Sequence, residues 1–309
     1  MKKVTILIPC YNEEASLPAL HDALISLMDS QPNYTWEILF VNDGSRDGTL
    51  DILRELHTTD HRFCFVSLSR NFGKECAMLS GFDHAKGDCL VIMDADLQHP
   101  PMLISEMLRY WEDGYEDIYA KRKVRGKESL WKKKTARLYY RLLQHTTRLD
   151  ILPDVGDFRL LDRKCIDVMK NLRESERNTK ALFAWIGFKK KEILFEPQDR
   201  VAGETKWNLS NLINLAIDGI TSFTTLPLRL ATIIGLFVST GAFIYIIAIL
   251  IKTIFLGESV KGFPTLMVTI LFLGGIQFLA LGIIGEYLGK IFNESKNRPI
   301  YVVSEYEGE

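Results

Sequence analysis

Apolar positions along the first 120 residues follow two alternating rhythms. Short runs at 4–8, 37–41, 63–68, 89–93 and 117–120 have strand length and are bounded by turn or charged residues. Between them, 13–28, 47–57, 74–84 and 101–111 carry apolar residues at helical spacing, as in Leu17, Leu20, Leu24 and Leu27. Strand and helix in alternation predict an α/β domain with a Rossmann-like, mostly parallel sheet covered on both faces. Ligands of such sheets bind beyond the carboxyl ends of the strands, so the residues after each strand hold the functional question.

Beyond residue 205 the pattern changes. Leu209, Leu212, Ile213, Ala216, Ile217, Ile220 and Phe223 fall on one helical face, with Asn208, Ser210, Asn211, Asn214 and Asp218 on the other, which predicts an amphipathic helix lying in a membrane interface. Residues 230–251 and 262–285 then run for 22 and 24 positions without a charge. Each is long enough to cross about 30 Å of hydrocarbon. As core helices, they would need a larger protein to cover an apolar surface on every side. Only ten residues, Lys252 to Lys261, separate them, so the expectation is a transmembrane hairpin that leaves both flanks on one side. The predicted organisation is an α/β domain over 1–205, an interfacial helix over 206–227, two spans within 228–288 and a tail over 289–309.

That shared side is expected to be cytoplasmic. The N-terminus has no apolar signal region, because its first apolar run ends at Pro9 and gives way to Asn12-Glu13-Glu14. Five scattered cysteines read as reduced core thiols without metal-site spacing. Arg229, Lys290, Lys296 and Arg298 flank the hairpin on the domain side, against Lys252 and Lys261 in its loop. Pro299 to Val303 is expected to add an extended strand to a neighbouring chain, making a homo-oligomer.

The 309 residues are 47% hydrophobic and 25% charged, which excludes a disordered or collagen-like chain. With 38 basic against 39 acidic residues, overall charge gives no reason to expect nucleic acid. Local charge is another matter. Residues 121–148 hold eleven Lys/Arg and one acid, Glu128, a local +10 in a chain whose total is −1. Trp131, Leu138, Tyr139, Leu142 and Leu143 share one face there, so a basic amphipathic helix near anionic lipid is favoured over a solvated face or a nucleic-acid patch.

The strand ends are acidic. Pro9-Cys10-Tyr11-Asn12-Glu13, Asn42-Asp43-Gly44-Ser45 and Asp94-Ala95-Asp96-Leu97-Gln98-His99-Pro100 converge on one rim. Carboxylates crowded together repel unless a cation or a donor-rich ligand joins them. Asp94, Asp96 and Gln98 offer oxygens on alternate residues, suited to Mg²⁺ or Mn²⁺ holding phosphate. The structural alternative makes Asp94 a helix cap and Asp96 a turn residue. The chain contains neither G-x-x-x-x-G-K-[ST] nor G-x-G-x-x-G, so an ATPase loop and a dinucleotide fingerprint are both missing. His57 and His61, four apart, read as a solvated helix end rather than a metal site.

These motifs, with Arg70-Asn71-Phe72-Gly73-Lys74-Glu75, Gly156-Asp157-Phe158-Arg159-Leu160, Gly203-Glu204-Thr205-Lys206-Trp207 and two C-terminal spans, resemble family 2 inverting glycosyltransferases with the GT-A fold. The chain is similar throughout its length to the polyprenyl-phosphate glycosyltransferases, which include dolichol-phosphate mannose synthases and bactoprenol glucosyltransferases. The resemblance implies inverting hexose transfer, glucose foremost, from a UDP-sugar to undecaprenyl phosphate at a bacterial inner membrane. It implies a nucleotide-sugar site at Pro9, Tyr11, Glu13, Asp43, Lys74, Asp94 and Lys206, and a divalent ion on Asp94, Asp96 and Gln98. It further implies Asp157 and Asp96 as catalytic residues, and Arg122, Arg125 and Lys133 as a grip on the acceptor phosphate. Other donors (UDP-GlcNAc, UDP-Gal or GDP-mannose) and a non-catalytic membrane scaffold are the competing expectations. A processive synthase would need more spans and a Gln-x-x-Arg-Trp motif, neither of which is present.

Overall fold

Parallel strands buried on both faces need apolar side chains on both, and the first strands meet that condition. In a computed structural model describing residues 1–123, 155–175, 177–195, 226–256 and 262–308, β1 (Lys2–Cys10) and β2 (Tyr34–Asn42) pair in parallel. Val4, Ile6, Leu7 and Ile8 are wholly buried. β3 (Phe63–Leu68) continues the parallel sheet beside β2, and β4 (Cys89–Ile92) does so on the other side of β1. The intervening helices are α1 (Leu17–Ser30), α2 (Thr49–Thr59) and α3 (Lys74–His84), with α4 (Leu103–Glu112) following β4. Gly81 lets α3 lie directly on β1, since a Cβ there would stand 2.1 Å from Leu7 Cδ1.

The remaining strands change direction. β5 (Asp117–Arg122) and β6 (Val155–Asp162) are antiparallel to each other, and β6 is antiparallel to β4. α5 (Arg163–Asn171) and α6 (Thr179–Trp185) follow, and β7 (Lys190–Phe195) pairs in parallel with β5. A last strand, β8 (Val303–Glu307), runs antiparallel to β3, giving an eight-stranded sheet of order β7-β5-β6-β4-β1-β2-β3-β8. The sheet is therefore mostly parallel, as the alternating pattern predicts, with β6 and β8 as the reversed strands.

Two differences from the sequence expectations have physical causes. The strand in the tail begins at Val303, where the expected strand over 299–303 ends, and it pairs with β3 of its own chain, Val66 opposite Tyr306, covering what would otherwise be an open edge. Arg54 grips Glu305 through two hydrogen bonds of 2.6 and 3.0 Å, and Tyr301 and Arg173 both donate to Asp83. His57 is not at a solvated helix end: its Nδ1 lies 2.8 Å from the Phe63 carbonyl and its ring meets Phe65 edge-on.

The chain divides into two compact units, Met1–Trp207 with Pro299–Glu309, and Asn208–Arg298. In the second, α7 (Leu226–Leu256) and α8 (Phe263–Ser295) are helices of 31 and 33 residues that contact each other. Their apolar side chains are turned outward, with Phe237 and Phe278 each 76% exposed. Thr232 and Thr240 satisfy their hydroxyls on the carbonyls of Leu228 and Leu236, so these two polar groups need no water. Among the described residues one stretch, Thr269–Ser295, is long and apolar enough to cross a membrane, and Leu230–Tyr245 is a shorter apolar one. The predicted interfacial helix lies outside the described residues.

Candidate active site

The loops after β1 and β2 are fastened to each other. Asn12, at φ +57°, donates its amide to Ser45 Oγ and accepts from the Arg46 amide. Glu13 donates its amide to Thr49 Oγ1, and its carboxylate accepts from the Ser16 hydroxyl. Gly44, at φ +65°, lies so close to the next loop that a Cβ would stand 2.3 Å from the Arg70 carbonyl carbon. Only glycine combines that backbone with that approach.

Asp43 fixes the third loop. Its two carboxylate oxygens accept from the amides of Phe72 and Gly73, at 2.7 and 2.8 Å. Burial pushes its pKa above the ordinary value against the opposing pull of these bonds and of Arg70. The expected nucleotide-binding role thus falls on a residue that also orders the start of α3, where Lys74 begins.

A cleft of about 310 Å³ opens at these strand ends, lined by Pro9, Tyr11, Glu13, Asp43, Lys74, Asp94 and Asp96 among others. Six of the seven residues expected at the nucleotide-sugar site line it together, and the seventh, Lys206, lies outside the described residues. Lys74 Nζ stands 2.6 Å from Asp94 Oδ1 and 2.8 Å from Asp157 Oδ2. The register explains the meeting: Ile92 faces Arg159 across β4 and β6, and two residues further the same antiparallel register sets Asp94 beside Asp157.

The charges act on one another. Burial raises the Glu13 carboxyl, the Ser16 hydrogen bond opposes it, and Asp96, Asp94 and Asp47 add to the rise. Burial would also raise Asp157, but Lys74, Lys180 and Arg159 outweigh it and hold the carboxyl below its ordinary value. Lys74 shows the converse: burial would lower its pKa, and Asp94 and Asp157 raise it instead. The other Asp157 oxygen, Oδ1, is buried with no hydrogen-bond partner among the described residues, so it is free to accept one.

The segment carrying Asp94, Asp96 and Gln98 is held tightly. Leu97 adopts φ +57°, a conformation non-glycine residues enter only under constraint. Asp96 Oδ1 accepts from the Gln98 amide at 3.1 Å. His99 is buried, stacked on Phe158 with centroids 4.7 Å apart and tilted against Phe195 at 5.6 Å. It ties this loop to the strand that carries Asp157, a role the sequence motif does not reveal. Arg159 and Lys180 were likewise not singled out; Arg159 forms a buried pair with Asp117 at 3.2 Å and lies over the Phe183 ring at 3.8 Å. Arg122 ends β5, while Arg125 and Lys133 lie outside the described residues.

The donor chemistry suits a hard divalent ion: Asp94 and Asp96 bring carboxylate oxygens to the cleft, while Gln98, the third expected ligand, is not among the residues that line it. Among the described residues, no three His, Cys, Asp or Glu side chains gather as a complete metal site. An ion that keeps several waters and shares a substrate's phosphate oxygens needs only one or two carboxylates, as Mg²⁺ does. All five cysteines are free and four are buried, and burial drives the Cys10 thiol well up, so thiolate ligation and nucleophilic thiol chemistry have no support here.

Comparison with known proteins identifies the family. The family model for glycosyl transferase family 2 matches residues 5–169. A glycosyltransferase of Synechocystis sp. (strain ATCC 27184 / PCC 6803 / Kazusa), sll0501, is 44% identical over 99% of this chain and 96% of its own. The bactoprenol glucosyl transferase of Shigella phage SfV is 40% identical over 97% and 98%, and the prophage bactoprenol glucosyl transferase homolog of Escherichia coli (strain K12) matches at the same identity and coverage. The matched segment runs from β1 past β6 and so contains every described acid of the cleft. With a mostly parallel α/β sheet beneath that cleft, the chain belongs to glycosyl transferase family 2.

Proposed function

We propose that this protein transfers a hexose, with glucose the foremost candidate, from a UDP-sugar to undecaprenyl phosphate with inversion at the anomeric carbon. The observation that carries this reading is the junction of Asp94 and Asp157 through Lys74 beside the acidic cleft, in a chain that aligns nearly end to end with bactoprenol glucosyl transferases. Pro9, Tyr11, Glu13 and Asp43 border the base and ribose. Asp94, Asp96 and Gln98 would hold Mg²⁺ or Mn²⁺, which when bound neutralises charge growing on the departing diphosphate.

In the reaction an acceptor phosphate oxygen forms a bond to the anomeric carbon from the face opposite the nucleotide. The bond from that carbon to the diphosphate oxygen breaks, and its electron pair leaves with UDP. A phosphate monoester has its second pKa at about 6, so no strong base is required. Asp157, kept ionised by Lys74, orients the phosphate or takes its remaining proton. Arg122, Arg125 and Lys133 grip the acceptor phosphate, and Lys206 reaches the donor's. α7 and α8 form a transmembrane hairpin in the inner membrane of a bacterium, with the catalytic domain on the cytoplasmic side.

Purified full-length protein in detergent, given UDP-glucose, Mn²⁺ or Mg²⁺ and undecaprenyl phosphate, is expected to release UDP and form a glycolipid. No glycolipid from any common UDP- or GDP-sugar would overturn the proposal.

A further inference from the structure

Among the described residues that line the cleft, Lys74 is the one with a positive charge, against four acids, Glu13, Asp43, Asp94 and Asp96. Its ammonium is committed to two of the site's carboxylates, one on each side: Asp94, which follows β4, and Asp157 on β6. The metal-binding role of Asp94 is the part of the proposed function on which the next step rests.

We infer that Lys74 is a positioning residue whose ammonium acts as the resident counter-cation of Asp94 and Asp157 and competes with a divalent ion for Asp94. The Asp94 oxygen taken up at 2.6 Å by Lys74 is an oxygen the ion requires, and an ammonium left beside a doubly charged ion is repelled. Loading the ion therefore moves Lys74 off Asp94 while its contact with Asp157 remains. The backbone does not need to move. Asp43 holds the amides of Phe72 and Gly73, so the backbone at the start of α3 is pinned and the exchange falls to rotation of the lysine side chain. Two consequences follow: metal affinity is held down in the absence of nucleotide, and Asp157 keeps a positive partner throughout.

Mn²⁺ binding to the full-length protein without nucleotide, followed by electron paramagnetic resonance, tests the competition. Lys74→Met is expected to bind Mn²⁺ about tenfold tighter than wild type while losing most glycosyl transfer. Lys74→Arg, which keeps the charge, is expected to restore wild-type Mn²⁺ affinity. Equal or weaker binding by Lys74→Met would overturn the inference. Should that variant misfold, reductively ¹³C-methylated wild type gives the second measurement, with the Lys74 resonance identified by its loss in Lys74→Arg. A shift of that resonance on Mg²⁺ addition supports release from Asp94, and an unmoved resonance overturns it. Tighter Mn²⁺ binding in Lys74→Met, together with no glycolipid from wild type, would support the competition and overturn the transferase proposal instead.

Discussion

His99 lies nearly parallel to Phe158, at an interplanar angle of 24°, and this ring contact joins the loop of Asp94 and Asp96 to the strand of Asp157. Aromatic stacking contributes roughly 0.5–1.5 kcal/mol beyond the area it buries. Replacing His99 by Ala removes the contact and opens a cavity, so a loss of about 2–4 kcal/mol is expected. His99→Phe keeps a ring of similar breadth and should recover most of it. Chemical denaturation of the three proteins, with the Mn²⁺ concentration for half-maximal turnover measured in parallel, checks both effects. The Ala variant should need more metal, because the loop bearing Asp96 is no longer held.

Asp96 makes a more direct test of the chemistry. Asn keeps its size and can still accept from the Gln98 amide, so folding should be nearly unchanged. Losing one charged oxygen from a metal and diphosphate site typically reduces turnover by about 100-fold or more. Asp96→Asn is therefore expected to melt within about 1 kcal/mol of wild type and to give almost no glycolipid. Turnover near wild type would remove Asp96 from the metal site.

Much of this was legible in the chain, and what was not has identifiable causes. β1 to β4 announce themselves as apolar runs because both of their faces are buried. β6 hides, since Asp157, Arg159 and Asp162 interrupt it and the buried Arg159 is neutralised by Asp117 on a neighbouring strand, a partner that spacing alone does not predict. β7 opens with Lys190, Lys191 and Glu192, so no apolar run marks it. The cleft acids were visible as strand ends, where topology alone brings them together. Lys74 was visible only as part of a motif. That it joins Asp94 to Asp157 depends on the β4 and β6 register, and a single sequence does not display an antiparallel pairing between distant segments. His99 escaped for the same reason, its partners Phe158 and Phe195 lying far along the chain.

The depressed pKa of Asp157 makes stability depend on pH. Burial works against the ionised form, yet Lys74, Lys180 and Arg159 hold the folded pKa below the ordinary value. An unfolded aspartate titrates near 3.9, so the unfolded chain takes up the proton first as pH falls. The contribution is fully present above about pH 4 and is lost as pH drops through the folded pKa. Asp157→Asn has no such group. The stability difference between wild type and this variant is therefore expected to hold above about pH 4 and to shrink as pH falls below it, as measured by urea unfolding at each pH. A constant difference would show that Lys74 does not hold Asp157 ionised.

The docked tail predicts a different kind of failure. β8 covers the backbone donors and acceptors of β3, and Ser69 donates its amide to the Val302 carbonyl just beyond the paired register. Deleting residues 299–309 would leave β3 as a bare edge carrying Phe65 and Val66, which are buried in the intact chain. Such an edge pairs with other chains. The truncated protein is expected to enter detergent solution largely as aggregate, with size-exclusion chromatography showing loss of the discrete species. Tyr301→Phe is milder: it removes one hydroxyl donated to Asp83, which Arg173 still contacts twice. A loss of about 1 kcal/mol with no aggregation is expected. If the truncated chain instead remained as discrete and as stable as wild type, the sheet edge would need no cover and β8 would be incidental to folding.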